Sequence, residues 1–358
     1  MRRTRARQLP CPPMKAIVIE RQGAPVAANV RFVSDYPDRT PAPGELLIRT
    51  EASALNHLDL WVGMGLPGVE LTYPRVSGSD GAGVVEAVGD GVDRAWVGER
   101  VLLNAACPLP EPAQPGVDPA PPDLLMIGEH VDGCLAERFV APATNVVAIG
   151  DADPSMAAAF GLTHLTAWRM LVTQARLRAG QSVLITGIGG GVALALLAIA
   201  KHFGCRTIVT SRSQQKLDRA KSLGADETLL DAGQDWSRDV RRLTAKRGVD
   251  IVADSVGKAV HGPAIRSLAR RGVFVTCGCT TGADATTDLA RIFWGQLTVI
   301  GSTMGDMGEF RAVTALFRAG ALVPVIDSVF SPSEASRAFA RLEAAEQFGK
   351  LVIDWRRG

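Results

Sequence analysis

The sequence predicts an α/β chain with two units. One is a mostly β, barrel-like unit of short strands, and the other a doubly wound parallel sheet of six strands. Three observations carry this reading. Residues 181–216 read as strand, glycine turn, apolar helix and strand, the pattern of a dinucleotide-binding unit. Residues 14–150 hold short apolar-alternating runs punctuated by Gly and Pro, which suits a β barrel. From Pro154 onward the period becomes helical, with four further short apolar runs between helical stretches. At 358 residues the chain has room for two separate cores.

In chain order, residues 1–13 carry four arginines and three prolines and lack the apolar core of a signal peptide. They read as a disordered extension. MKAIVIE at 14–20 and ELLIRTE at 45–51 alternate as strands, and a short helix is expected within 52–65, entered at Asn56. Val84 to Val88 continues a glycine-rich strand approach, and VGERVLL follows at 97–103. Residues 105–128 contain seven prolines, so a long surface loop is expected there rather than helix or central strand. Residues 128–142 resume the β unit. A helix over 157–172 then leads into the glycine turn.

Val183 to Thr186 is a continuously apolar, β-branched run, as expected for a parallel strand buried on both faces. Gly187, Gly189, Gly190 and Gly191 follow at once. Glycines let the chain turn sharply and leave no Cβ between backbone and a pyrophosphate. Val192 to Phe203 reads as an almost wholly apolar helix whose first amides, at Gly191 and Val192, would face the phosphates. Thr207 to Thr210 is the second strand. Residues 226–230, 250–254, 273–277 and 298–301 supply four more, six in all. Helices over 307–318 and 334–347 and a strand at 350–353 would complete the first unit.

The end of the second strand chooses the cofactor. A ribose 2′-hydroxyl calls for a carboxylate there, and a 2′-phosphate for a cation. The residues are Ser211 and Arg212, with Lys216 beyond and no acid before Asp218. That favours NADPH, and the competing reading makes Arg212 and Lys216 a solvated helix start.

Lys and Arg number 39 against 37 Asp and Glu, so nothing suggests a field for nucleic acid or membrane. The longest apolar stretch is too short to span a bilayer. Six scattered cysteines show no CxxC pair and fit reduced thiols in a cytoplasm.

These segments together resemble the medium-chain dehydrogenase/reductase superfamily of zinc alcohol dehydrogenases and zinc-free quinone oxidoreductases. The resemblance rests on NHLDLWVG at 56–63, GSDGAGVV at 78–85, GEHVDGCLAERFV at 128–140, LTAWRML at 165–171 and SLGAD at 222–226. TCGCTTG at 276–282, RIFWGQLTVIGST at 291–303 and EQFGKLVIDW at 346–355 extend it. It implies a GroES-like, β-barrel-type catalytic domain over 14–150, completed by 305–358. A six-stranded parallel Rossmann domain over 151–304 would lie between. It also implies a homodimer through the outer edge of the Rossmann sheet.

The departures from the zinc branch are specific. The positions of the catalytic metal ligands align with Asn56, Ser79 and Leu162, and the proton-relay hydroxyl with Leu58. Zinc prefers thiolate, imidazole or carboxylate, so no metal is expected. The segment of the structural zinc lobe keeps only Cys107. His57, Asp59, Asp80 and His164 remain as local metal-capable groups.

The zinc-free branch implies that Asn56 orients the nicotinamide ribose or the substrate oxygen, with Asp59 supporting it from behind. It implies that His57 and Lys350 touch the pyrophosphate and that Thr166 approaches the nicotinamide. Cys277, Gly278 and Ser302 would add to the cofactor wall. Tyr73 is a candidate proton donor, although it falls later than that branch's tyrosine, and His130 reads as structural.

Without a Lewis acid an unactivated ketone is hard to reduce. The expected substrate is a small, apolar electrophile, a quinone or an enone, reduced with NADPH. The alternatives are an alcohol dehydrogenase-like enzyme with an atypical or lost zinc, and a noncatalytic NADPH-binding protein.

Overall fold

The computed structural model describes residues 13–66, 70–109 and 123–357. Six parallel strands form one sheet, in the order 227–230, 206–211, 182–185, 249–254, 268–276, 298–301. Numbered along the chain, that is the 3-2-1-4-5-6 order of a doubly wound dinucleotide-binding sheet. One face packs on the helices Pro154–Trp168 and Gly191–His202 around Val183, Ile185 and Ile251. The other buries Leu184, Ile208, Val252 and Phe274 with Trp236. Burial on both faces explains why the central strands read as unbroken apolar runs.

The second unit is GroES-like, and its largest sheet has seven strands. Glu45–Ala54 is its hub, pairing with Gly81–Val88, Arg138–Pro142 and Lys350–Asp354. The Lys350–Asp354 strand brings the end of the chain back beside residues 52–54. Residues 13–19, 30–37 and 75–76 form a three-stranded sheet alongside. At Gly83 a Cβ would stand 2.0 Å from the Arg49 carbonyl oxygen, so only glycine permits that strand pairing. Among the described residues no helix is long and apolar enough to cross a membrane.

Several boundaries differ from the sequence expectation. The proline-rich stretch is not loop throughout, because Ala106–Pro108 pairs antiparallel with Leu124–Met126. This two-stranded ribbon tolerates Pro108 because the proline sits at its end. Residues 110–122 lie outside the described residues, as does the extension through residue 12.

The helix expected over 157–172 starts earlier, at Pro154. Asp153 caps it there by accepting from the Met156 amide, with proline at the first helical position. It then widens into a π-helical turn over Arg169–Gln174. The 273–277 strand begins at Leu268 and carries a bulge, and the last helix runs only from Ala335 to Glu343.

Candidate active site

A cleft of about 1310 Å³ runs along the carboxyl ends of the parallel strands and opens against residues of the GroES-like unit. The glycine turn lies on one wall. Gly187 and Gly189 adopt φ of +63° and +129°, a region that side chains avoid. The turn is fixed from two sides. Ile188 N–H donates to the Thr210 carbonyl at 2.7 Å, and Gly349 N–H donates to the Gly189 carbonyl at 2.9 Å. Gly190 precedes the helix in an extended conformation, and a Cβ there would meet nothing within 4 Å. The first amides of the Gly191–His202 helix have no preceding turn to bond and lie at the cleft, where an anion would satisfy them.

Ser211, Arg212 and Lys216 line the far end of the cleft. Arg212 is exposed, whereas Lys216 lays its stem over Gly189 and donates from Nζ to the Ala345 carbonyl at 2.7 Å. Burial holds the Lys216 ammonium below its ordinary range. Arg341, which sequence reasoning missed, adds a third cation to this wall, held by Asp327 at 2.8 Å. Asp231, at the end of the neighbouring strand, is the nearest acid in sequence that also lines it.

At the other end the cleft meets a buried polar cluster. Lys350 Nζ donates to Asn56 Oδ1 at 2.5 Å and to Asp80 Oδ2 at 2.9 Å. Asn56 Nδ2 donates to the same Asp80 oxygen at 2.8 Å, and Ser79 Oγ stands 3.5 Å away. The Lys350 side chain is 4% exposed and that of Asp80 is wholly buried. The second carboxylate oxygen of Asp80 accepts from the Leu162 amide at 2.7 Å. That contact depends on Gly161, where a Cβ would lie 2.6 Å from the carboxylate. Asn56, Ser79 and Leu162 do lie together, around Asp80, and the charge that Asp80 meets is a lysine ammonium. Its hydrogen bonds run to Asn56 and Asp80, and this is the position for which the resemblance implied a pyrophosphate contact.

Of the other residues singled out from sequence, His57, Thr166, Val192, Cys277 and Gly278 line the cleft with the turn. His57 stands edge-on to Trp61, with ring centroids 5.5 Å apart. Four do not line it. Asp59 is buried behind Asn56, where it accepts from the Asn56 amide at 2.7 Å and the Gly78 amide at 2.8 Å. Burial pushes its carboxyl up to about 6. It positions the Asn56 backbone and touches nothing in the cleft.

Tyr73, the candidate proton donor, is turned away, because its hydroxyl donates to the Val62 carbonyl at 2.5 Å. Ser302 is buried with its hydroxyl unpartnered, while the adjoining Thr303 and Met304 face the cleft instead. Gly189 lies beneath the Lys216 stem. His164, weighed as a metal-capable group, stacks on Phe160 at 4.0 Å, and burial pushes its imidazole down to about 3. Among the described residues no three His, Cys, Asp or Glu side chains are grouped to hold a metal.

The outer part of the cleft is lined by Leu58, Trp61, Leu124, Met126, Leu162 and Met304, with Glu129 and His130 beside them. The ribbon 106–108/124–126 supplies two of these, and its presence was hidden by the prolines around it.

Residues 42–151 match the alcohol dehydrogenase GroES-like domain family, and residues 191–319 match the zinc-binding dehydrogenase family. The chain belongs to the medium-chain dehydrogenase/reductase superfamily. This medium-chain dehydrogenase/reductase is 30% identical over 323 residues to a zinc-type alcohol dehydrogenase-like protein of Schizosaccharomyces pombe, covering 87% of this chain and 91% of that one. It is also 30% identical over 352 residues to a quinone oxidoreductase of Pseudomonas aeruginosa, covering 95% and 99%. Among solved structures, an NAD-dependent alcohol dehydrogenase superposes with a TM-score of 0.89 at 37% identity, covering 95% of this chain and 99% of that one. The protein is accordingly an oxidoreductase of this superfamily.

Proposed function

We propose that this medium-chain dehydrogenase/reductase is a zinc-independent enzyme that uses NADPH to reduce an activated C=C bond or a quinone. The observation that carries the reading is the Lys350 ammonium on Asn56 and Asp80. In the zinc branch these surroundings hold the metal. Here the donor set is an amide, a hydroxyl and a leucine, and a cation already compensates the nearby carboxylate. A divalent ion placed beside that ammonium would meet like-charge repulsion in a poorly screened interior. The names of similar proteins are divided: one relative is a quinone oxidoreductase and one neighbour an NAD-dependent alcohol dehydrogenase.

The glycine turn and the first amides of the Gly191–His202 helix would hold the cofactor's pyrophosphate. Ser211, Arg212 and Lys216 would take the adenosine end, where the strand ends in no carboxylate and a 2′-phosphate finds cations. Thr166, Cys277 and Gly278 would surround the nicotinamide end, and His57 would reach the pyrophosphate. When bound, NADPH supplies a hydride. The protein's own part is to orient an electrophile against the apolar outer wall, exclude water, and offer donors to the oxygen that gains charge. That wall fits a small apolar substrate.

The exposed side chains Leu289, Phe293 and Trp294, at 62–73%, flank the free edge of the Thr298–Gly301 strand. An apolar, unpaired edge of this kind supports a homodimer joined there. The same reading keeps the domain division at 14–150 with 305–358 against 151–304, and a cytoplasmic location for the reduced thiols.

The test is NADPH consumption by metal-stripped protein with a panel of quinones and enones, with NADH alongside. Turnover that survives chelation and prefers NADPH is expected. Turnover that returns only with zinc overturns the reading in favour of an alcohol dehydrogenase. NADPH binding with no turnover on any electrophile points instead to a noncatalytic protein.

A further inference from the structure

The cleft has an apolar outer wall and, with Tyr73 turned away, no tyrosine to meet the substrate's oxygen. Three rings with a polar nitrogen line the cleft, His57, Trp61 and His130, and the His130 ring is held by a backbone hydrogen bond. His130 lines the cleft, is exposed to it, and follows the ribbon strand Leu124–Met126 in a tight turn. Its Nδ1 accepts the Met126 backbone N–H at 2.9 Å. An amide N–H can only donate, so Nδ1 carries no proton while that bond stands, and the proton of the neutral ring sits on Nε2. The turn itself is held firmly. Gly128 takes φ of +91°, and a Cβ there would lie 2.5 Å from the Gly78 carbonyl oxygen. The His130 amide donates to the Met126 carbonyl at 2.9 Å, and Arg75 donates to the Glu129 carbonyl. Backbone and ring are thus fixed together, and among the described residues Nε2–H has no protein acceptor.

We propose that His130 Nε2–H is the hydrogen-bond donor to the carbonyl oxygen of the electrophilic substrate, in the role a metal plays in the zinc branch. This rests on the reading of the protein as an enone or quinone reductase. As hydride reaches the β-carbon of an enone, the C=C electron pair shifts and the carbonyl oxygen takes the negative charge. That oxygen accepts from His130 Nε2–H, and a water proton completes the α-carbon. The neutral imidazole keeps its own proton throughout. A neutral donor of this kind, already oriented by a backbone amide, needs no rearrangement as charge develops.

The test uses the full chain and a probe whose colour reports carbonyl polarisation, dimethylaminocinnamaldehyde, bound with oxidised cofactor so that no turnover intervenes. His130→Asn is the informative variant. Its Oδ1 stands where Nδ1 stood and still accepts from Met126 N–H, but nothing reaches as far as Nε2. Wild type is expected to shift the probe's absorption to the red, and His130→Asn to lose most of that shift while binding NADPH unchanged. kcat on an enone should fall about 100- to 1000-fold, the range for losing one such donor, with KM altered far less. His130→Phe, which also drops the Met126 bond, should show the same loss if it folds. Wild-type turnover with an unchanged shift and kcat in His130→Asn overturns the role of His130 and leaves the reductase reading standing. No turnover and no shift in wild type overturns both.

Discussion

The two ends of the cleft were built by different means. The cofactor end is local. Strand, glycine turn, helix and second strand follow one another within residues 182–211, and backbone conformation does most of the work. The substrate end is assembled from distant segments. Lys350 bonds Asn56 across 294 positions and Asp80 across 270, and the turn that carries His130, after the strand Leu124–Met126, comes from elsewhere again. A turn that needs only glycines can be copied between proteins as a short string. A buried cluster exists only if every contributing segment arrives, so one change removes the partners of several groups.

That contrast predicts unequal responses to mutation. The largest effect is expected at Lys350→Met, which leaves Asp80 buried without a counter-charge. Breaking such a pair costs about 3–5 kcal/mol, and urea denaturation should show it. The double variant Lys350→Met with Asp80→Asn should recover part of the loss. If Lys350→Met alone changes stability no more than an exposed lysine substitution does, the cluster is not the structural centre described here.

At the cofactor end, effects should fall on binding. Arg212→Ala is expected to weaken NADPH by about 1.5–3 kcal/mol, the worth of a hydrogen bond to a charged group, with NADH affinity unchanged. Fluorescence titration of the two cofactors measures this. Equal losses for both would remove Arg212 as the discriminating residue.

Gly189→Ala combines a φ of +129° with a Cβ 2.7 Å from Lys216 Cδ. Strain of this kind costs about 1–3 kcal/mol. The variant should lower the midpoint of thermal unfolding and weaken cofactor binding together.

The smallest effects concern pH, and here two buried groups oppose each other. Asp59 is raised from 3.8 to about 6 by burial, so its contribution to stability is present below the lower value and is lost as pH rises through the upper one. His164 is lowered from 6.5 to about 3 by burial, so its contribution is present above the upper value and is lost as pH falls towards the lower one. Between about pH 4 and 6 the two slopes partly cancel, each near 1.4 kcal/mol per pH unit at most. Asp59→Asn should therefore steepen the acid loss of stability, and His164→Gln should flatten it. Denaturant midpoints measured across this range decide whether either group behaves as its burial implies.

Much of the molecule could be read before its structure was known. The helix expected over 307–318 is the helix observed, because Asp306 and Glu309 cap it reciprocally and its apolar spacing is regular. The count of six parallel strands followed from apolar runs at the spacing that helical crossovers require, whereas their order came only with the structure. The errors have physical causes as well. Prolines concealed the 106–108/124–126 ribbon because seven of them within 105–128 argue against strand anywhere in that stretch. Tyr73 was chosen for its hydroxyl, whose direction depends on the Val62 carbonyl and leaves no trace in the sequence. Ser302 and Thr303 are neighbours on a strand end, and only the fold shows which of them faces the cleft.

By itself, the sequence determined the class of fold, the dinucleotide turn and the replacement of three metal-ligand positions by residues unsuited to zinc. These depend on periodicity, backbone permissiveness and side-chain chemistry, all local properties. Only the tertiary structure decided what Asn56 and Asp80 bond, which residues line the cleft and which nitrogen of His130 accepts the Met126 amide. Each of these depends on the direction of a hydrogen bond between segments far apart in the chain, and such directions are fixed only when the two sheets and the helix between them pack.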